Sequence, residues 1–317
     1  MDNRLKIFSG SSCPELAARV CKKLGVNLSP VQIEQYSNGC FEVILGENIR
    51  GCKVFLIQTS PLRDLHQNLW ELYEMVNAAC KASAKEINVV MPYVSYARSD
   101  KKYTGRMPIA GKLFTQFLET AGMDRFVGID FHSPEFEGFF DLKTRVDHLR
   151  AYPLIINFLK SKDLTKAVLL PGDDGASKKV AKFSEGIGVP CGNVKKRRIS
   201  DTKVIIDSIE GEIKDKDVFI IDDEICAATT IKEVGKKVEE LGANSLTVVA
   251  THGLFVGKAI DNLKSIKILK EIAVTDTVPI ADEVKKNLPL TIIPIDELLS
   301  RAILEIYQEG SVSKLFE

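Results

Sequence analysis

An excess of charge is what this chain most plainly lacks. Lysine plus arginine and aspartate plus glutamate each number 43, so no net field favours nucleic acid or an anionic membrane, and any anion site has to be built locally. A net charge near zero also weakens repulsion between copies and is compatible with self-association. Long apolar runs are missing too. None approaches the ~20 residues that span a bilayer, and Met1-Asp2-Asn3-Arg4-Leu5 has no apolar signal-peptide core. The seven cysteines (Cys13, Cys21, Cys40, Cys52, Cys80, Cys191, Cys226) form no C-x-x-C pair, and several sit in apolar patterns. Buried, reduced thiols in a cytoplasmic compartment are expected.

What is present is a regular alternation of strands and helices. The 317 residues, 45% of them hydrophobic, suffice for two domains that each bury a core. Apolar runs predict strands at 5–9, 53–58, 87–92, 125–131, 167–170, 218–221 and 246–250. Helical spacing predicts helices at 14–24, 65–84, 109–121, 176–185 and from 231 to 241. Strands apolar on both faces and alternating with helices argue for α/β domains with parallel sheets covered by helices. The boundary is expected near Leu149, giving domains at 1–149 and 150–302. No low-complexity linker separates the two.

Ligands of such sheets sit beyond the carboxyl ends of the strands, so the polar residues there carry the information. The stretch Ile220-Ile221-Asp222-Asp223-Glu224-Ile225-Cys226-Ala227-Ala228-Thr229-Thr230 is the clearest. A buried strand ends in two adjacent carboxylates, and small residues then lead into a helix whose N-terminus attracts an anion. Capping of that helix by Thr229 or Thr230 would account for the hydroxyls but not for the paired acids. A phosphorylated sugar offers both an anion and hydroxyls. Asp130-Phe131-His132 places a carboxylate and an imidazole two apart, on one side of the expected pleat. Asp173-Asp174 adds oxygens, and magnesium takes such carboxylates together with substrate phosphates. A lone histidine is more often structural, and His66 and His148, which have no partner pattern, are read so. Lys195-Lys196-Arg197-Arg198 reads either as a solvated face or as a mobile loop that brings cations over a transferred phosphoryl group. Tyr96-Ala97-Arg98-Ser99-Asp100-Lys101-Lys102 either holds a nucleotide phosphate through Arg98 or is an exposed loop with an internal ion pair.

Taken together these segments resemble the ribose-phosphate diphosphokinases, which make phosphoribosyl diphosphate. The resemblance runs in order from Lys6-Ile7-Phe8-Ser9-Gly10-Ser11-Ser12 to Ser311-Val312-Ser313-Lys314-Leu315-Phe316. It implies two phosphoribosyltransferase-like domains, each a mostly parallel doubly wound sheet flanked by helices, with the tail at about 303–317 packed on the first. It implies ATP held by Tyr36, Asn38, Gly39, Cys40, Arg98, Ser99, Asp100 and Lys101, with the 38–40 contact made from a neighbouring subunit. Magnesium falls to Asp130, His132 and Asp173, and the transfer to Lys196 and Arg198. Ribose 5-phosphate falls to Asp222, Asp223, Cys226, Ala227, Ala228, Thr229 and Thr230. An effector site for inorganic phosphate (activating) and ADP (inhibiting) is implied at Asn48, Arg50, Lys102, Arg106, Ser311 and Ser313. The family assembles as homo-oligomers, dimers building hexamers, with neither nucleic acid nor membrane as partner.

Several positions depart from the family pattern. Where its sugar-phosphate loop reads acid, Thr, small, Gly, Thr, this chain has Cys226-Ala227-Ala228-Thr229-Thr230. A carboxylate, a hydroxyl and a glycine are lost, and a β-branched residue resists the positive φ a glycine allows. Cys40 replaces a Glu and Ser99 a Gln, and 142–147 is longer than usual. Two readings follow: an active, divergent synthetase, or a catalytically silent subunit that assembles with an active one. Retention of the charged loop and of His132 and Asp173 favours the first.

Overall fold

The computed structural model describes residues 4–61, 63–172, 174–200 and 203–316. In chain order its elements are β1 (Leu5–Ser9), α1 (Pro14–Leu24), β2 (Val31–Gln35), β3 (Phe41–Leu45), β4 (Lys53–Ile57), α2 (Leu65–Lys81), β5 (Glu86–Met91), α3 (Ala110–Ala121), β6 (Arg125–Ile129) and β7 (Arg145–Leu149). There follow α4 (Tyr152–Lys160), β8 (Ala167–Pro171), α5 (Ser177–Ile187), β9 (Asn193–Ser200), β10 (Lys203–Glu210), β11 (Asp217–Ile225), α6 (Thr229–Glu240), β12 (Ser245–Gly253), α7 (Ala259–Lys264), β13 (Leu269–Thr275), α8 (Asp282–Asn287), β14 (Leu290–Ile293) and α9 (Asp296–Tyr307). The chain divides into two compact units. Unit 1 comprises the residues up to Arg150, Thr277–Pro279 and everything from Ile295 on; unit 2 comprises Ala151–Asp276 and Ile280–Pro294.

Unit 1 is built on a parallel sheet in the order β1-β4-β5-β6-β7. Every residue of β4 and β5 is buried, as a strand covered on both faces requires. On one face α2 and α3 bring Leu72, Met75, Val76, Phe114 and Leu118 against Leu56, Val89 and Phe126. The alternate residues Ile7, Phe55, Val90 and Val127 are as fully buried. They belong to the face served by α1, which packs on β1 and on α9. Helix α1 starts with a proline in its first turn and stops at Gly25, whose φ of 68° lets its N–H reach back to the Cys21 and Lys22 carbonyls.

The strand order reverses once, beside β1. Phe8 pairs with Leu56 of β4 on one edge and makes an isolated parallel bridge to Ser29 on the other, where the Ser29 N–H donates to the Ile7 carbonyl at 2.8 Å. The chain therefore leaves β1 one way to reach Ser29 and returns on the other side to form β4. Such a reversal opens a crevice at the carboxyl ends of the two strands. Unit 2 repeats the device. Its sheet runs β14-β13-β12-β11-β8, all parallel. Leu169 of β8, paired with Phe219 of β11, bridges Cys191 on its free edge. In each unit an antiparallel ribbon, β2–β3 or β9–β10, is inserted between the reversal and the returning strand.

The structure amends three expectations. The ribbons are absent from the sequence reading, because Val31–Gln35 alternates with polar residues and stays partly exposed, and because β9 reads as a charge run. The basic tetrad thus lies in a paired strand, not in an unpaired loop. The cysteines are free, but only Cys13, Cys21 and Cys52 are buried, Cys226 is intermediate, and Cys40, Cys80 and Cys191 are exposed. Burial pushes the Cys13 and Cys21 thiols up to about 11, so both are poor nucleophiles at neutral pH. No helix among the described residues is long and apolar enough to cross a membrane. A thiol-specific reagent at pH 8 should modify Cys40, Cys80 and Cys191 of the native protein first. Peptide mapping should find Cys13 and Cys21 labelled only after denaturation.

Candidate active site

In unit 2 the carboxyl end of β11 brings the paired acids and the helix start together. Strand β11 runs on to Ile225 because β12 pairs with it as far as Gly253, so the acids lie within the strand and not beyond it. They lie past the edge of β8, whose last partner is Ile221. The Gly172 N–H donates to the Ile221 carbonyl at 3.0 Å, which turns the chain directly under Asp222. A Cβ built on Gly172 would overlap the Asp222 carboxylate. Asp222 is buried, and one of its oxygens accepts the Asp223 N–H at 2.9 Å. Glycine at 172 therefore sets where that carboxylate rests. Nothing in the sequence marks this role, since it depends on a contact across the strand-order reversal. Beside these acids, Glu224 and His252 are register partners on β11 and β12, and both are buried.

The loop from Cys226 to Thr230 is held from its carbonyl side. Leu254 and Phe255 donate to the Ile225 carbonyl, Val256 to Cys226, and the Asn262 amide to Ala227 at 2.9 Å. The left-handed residue is Ala228, with φ 55° and ψ 24°, and Thr229 already opens α6. The β-branched residue that replaces the family's glycine therefore sits where no positive φ is required. The same geometry removes the capping explanation, because the N-cap is Ala228, whose methyl cannot accept a hydrogen bond. The first N–H groups of a twelve-residue helix thus face an outside anion without competition from a capping side chain.

The basic residues of β9 divide by strand alternation. Lys195 pairs with Glu210 at 2.6 Å and Arg197 with Asp207 at 3.3 Å, both acids lying on β10. Lys196, half-buried, alternates to the other side of the ribbon. For Arg198 the structure describes the backbone in β9, and Asp173 lies outside the described residues.

In unit 1 strand β6 ends at Ile129, and Asp130 takes a left-handed φ of 42°. The pleat does not continue, so Asp130 and His132 are not two residues on one side of a strand as the spacing suggests. Asp130 is buried and its N–H donates to the Leu149 carbonyl at 3.0 Å; His132 is exposed. The turn is held by Phe131, buried against Phe126, Phe136 and His148. Gly128 makes room, since a Cβ there would overlap the Phe131 ring. Burying that ring is worth roughly 1.5–3 kcal/mol, enough to offset the roughly 1–2 kcal/mol cost of a left-handed non-glycine residue. His148, read from the sequence as an isolated structural histidine, has three partners. Its Nδ1 is 2.5 Å from Glu137, and its Nε2 is 2.8 Å from the Phe131 N–H and 3.0 Å from Arg150. Burial, reinforced by Arg150, holds its imidazole below the ordinary 6.5 although Glu137 opposes the shift.

The remaining candidates also belong to unit 1. Tyr36, Asn38, Gly39 and Cys40 form the exposed tip of the β2–β3 ribbon, where the Cys40 N–H donates to Asn38 Oδ1 at 3.0 Å and Gly39 has φ 89°. Arg98 closes a single 3-10 turn from Ser95. Ser99 follows, its carbonyl accepting the Gly111 N–H at the start of α3, and Asp100 and Lys101 continue the loop. Asn48 accepts the Arg50 N–H at 3.1 Å in an exposed turn, and Lys102, Arg106, Ser311 and Ser313 are exposed. The C-terminal segment is fastened by Lys53, whose ammonium donates to the Tyr307 carbonyl at 3.1 Å and to Glu309 at 2.9 Å. Among the described residues no three His, Cys, Asp or Glu side chains gather as a metal cluster.

Gly172→Ala is expected to displace the Asp222 carboxylate. The KM for ribose 5-phosphate, the ligand the resemblance assigns to this loop, should rise about ten-fold or more in steady-state kinetics, with a melting temperature within a few degrees of wild type.

Comparison with known proteins agrees with this layout. Residues 5–122 match the model of the N-terminal domain of ribose phosphate pyrophosphokinase, and residues 173–317 match that of the phosphoribosyl synthetase-associated domain. A ribose-phosphate pyrophosphokinase of Oceanobacillus iheyensis is 36% identical over 316 residues, covering 100% of this chain and 98% of its own. That of Bacillus subtilis is 35% identical over 315 residues, covering 99% and 98%. The crystal structure of phosphoribosylpyrophosphate synthetase from Mycobacterium smegmatis superposes with a TM-score of 0.89 at 33% identity, over 97% of this chain and 100% of that one. Likeness of this extent, running through both units and both inserted ribbons, places the chain in the ribose-phosphate pyrophosphokinase family.

Proposed function

We propose that the chain transfers the diphosphoryl group of ATP to O1 of ribose 5-phosphate, giving phosphoribosyl diphosphate and AMP for nucleotide biosynthesis. The observation that carries this reading is the uncapped start of α6 at Ala228, one short loop beyond the Asp222-Asp223 pair. In this reading the amides of 226–230 and the Thr229 and Thr230 hydroxyls hold the 5-phosphate. Asp222 and Asp223 accept hydrogen bonds from ribose hydroxyls and so orient the anomeric oxygen. ATP is taken by Tyr36, Arg98, Ser99, Asp100 and Lys101, and by Asn38, Gly39 and Cys40 at the ribbon tip of a neighbouring copy. Exposure of that tip suits such use. The anomeric hydroxyl attacks the β-phosphorus and AMP leaves. Lys196 and Arg198 supply cations to the oxygens of the transferred group, where charge develops. Lys195 and Arg197, already neutralised by acids on β10, are not the transfer residues.

Magnesium is the expected cofactor. Asp130, a buried carboxylate on a strained turn, and His132 beside it fit an ion that arrives with a triphosphate and draws few ligands from the protein. Asp173 is assigned with them by family resemblance. The ion, when bound, neutralises phosphate charge; the protein groups fix where it rests. A homo-oligomer of dimers, a cytoplasmic location, and phosphate and ADP as effectors at Asn48, Arg50, Lys102, Arg106, Ser311 and Ser313 complete the reading. A silent subunit is disfavoured, since the chain keeps Lys196, Arg198 and His132 and matches enzymes of this family over its whole length.

Release of AMP from ATP should depend on both ribose 5-phosphate and magnesium. Lys196→Ala should lower kcat by roughly 10²–10³-fold with unchanged thermal unfolding. No turnover by the wild type would return the silent-subunit reading. Cys226→Asp restores the family's acid; if the loop is weakened by its loss, calorimetry should show ribose 5-phosphate binding several-fold tighter, and an unchanged affinity would mean that Ala228 and the helix start suffice.

A further inference from the structure

We propose that His148 is a positioning residue that sets the Asp130–Phe131–His132 turn for its work on the magnesium–triphosphate. This rests on the assignment of that turn made above. Of the side chain only 4% is exposed, and its ring stacks on Phe131, centroids 4.1 Å apart and planes 30° from one another. Both neighbours of Nε2, the Phe131 N–H and the Arg150 guanidinium, are donors. Nε2 therefore accepts, and the ring proton resides on Nδ1, which donates to the Glu137 carboxylate at 2.5 Å. One imidazole thus receives the backbone of the turn's central residue on one nitrogen and is oriented by a carboxylate on the other. It makes no contact with substrate in this role; it acts through Phe131.

The turn needs such a fastener. Asp130 leaves the strand with a left-handed φ of 42°, so the pleat that would otherwise aim Asp130 and His132 is gone. Phe131 supplies apolar anchorage, but a ring in an aromatic cluster fixes depth better than rotation. An acceptor on the Phe131 N–H removes that freedom, and with it the spread of positions open to the two flanking side chains. Groups that orient ligand-bearing residues in this way typically change metal affinity by 10–100-fold when lost.

The test compares His148→Leu, which fills the space but accepts nothing, with His148→Gln, whose carbonyl oxygen reaches the place of Nε2. His132→Ala reports on the turn itself. MgATP binding is followed by calorimetry, steady-state constants are measured for both substrates, and amide exchange is followed through 129–133. For His148→Leu we expect MgATP binding about ten-fold weaker or more, a KM for ribose 5-phosphate within about two-fold, and faster exchange at Phe131. His148→Gln should recover most of the MgATP affinity. Wild-type affinity in His148→Leu, or equal loss in Leu and Gln variants, would overturn the proposal. If His148→Leu does not fold, rapid exchange of the Phe131 amide in the wild type would overturn it by itself. If His132→Ala binds MgATP as the wild type does, the assignment of the turn fails and the proposal fails with it.

Discussion

One backbone hydrogen bond, made twice, organises both units. The Gly10 N–H donates to the Ile57 carbonyl at 2.9 Å, and the Gly172 N–H to the Ile221 carbonyl at 3.0 Å. In each case a glycine just past the first strand closes onto the carbonyl of the last residue that pairs the returning strand with the first. The side chain of the next residue, Gln58 or Asp222, then lies over the glycine, with no room for a Cβ beneath it. The spacing beyond is also shared, for Asp64 and Ala228 are each the seventh residue on, each with φ near 56°, and each directly before a helix. Parallel sheets place ligands at this point, and the glycine–carbonyl bond fixes where that point is.

The two units use the shared frame differently. In unit 1 the space is filled from within. Glu71, buried on the seventh residue of α2, accepts the Ser11 N–H at 2.6 Å and the Ser11 hydroxyl at 2.7 Å, and Gln58 donates to it at 3.0 Å. A carboxylate of the chain itself thus receives the donors that an anion would take. In unit 2 the seventh residue of α6 is Gly235, packed on Ile266, and carries no such group. An internal carboxylate at the seventh position of α2 and a glycine at that of α6 are the side-chain difference between the two frames, and the sugar-phosphate site proposed above falls in the one without the carboxylate.

Much of this was legible in the sequence, and the parts that were not share a cause. Strands such as β5 and β11 announced themselves because both faces are buried, leaving continuous apolar runs. The ends of α1 and α3 were marked by Gly25 and Gly122, which take the left-handed φ that closes a helix. The acids at 222 and 223 were found because paired carboxylates after an apolar run have little structural reason to be there. The left-handed Asp130 was hidden, since nothing in an Asp-Phe-His triplet dictates that φ. His148 was hidden because two of its three partners, Glu137 and Phe131, are 11 and 17 residues away in the chain and become neighbours only when β6 and β7 pair. The ribbons were hidden because an exposed two-stranded hairpin alternates polar residues and has no core of its own.

Helix α9 belongs to unit 1 although it comes last in the chain. Its buried residues Leu299, Ala302, Ile303 and Ile306 complete the packing of α1, and the Lys53 ammonium caps its final turn. Unit 1 is thus begun by β1 and sealed by α9, which follows the whole of unit 2 in the chain. All of unit 2 is translated in between, and throughout that interval the apolar side of α1 awaits its cover. Domains made in one stretch finish in the order of their synthesis; here the half begun first is the last that can be finished.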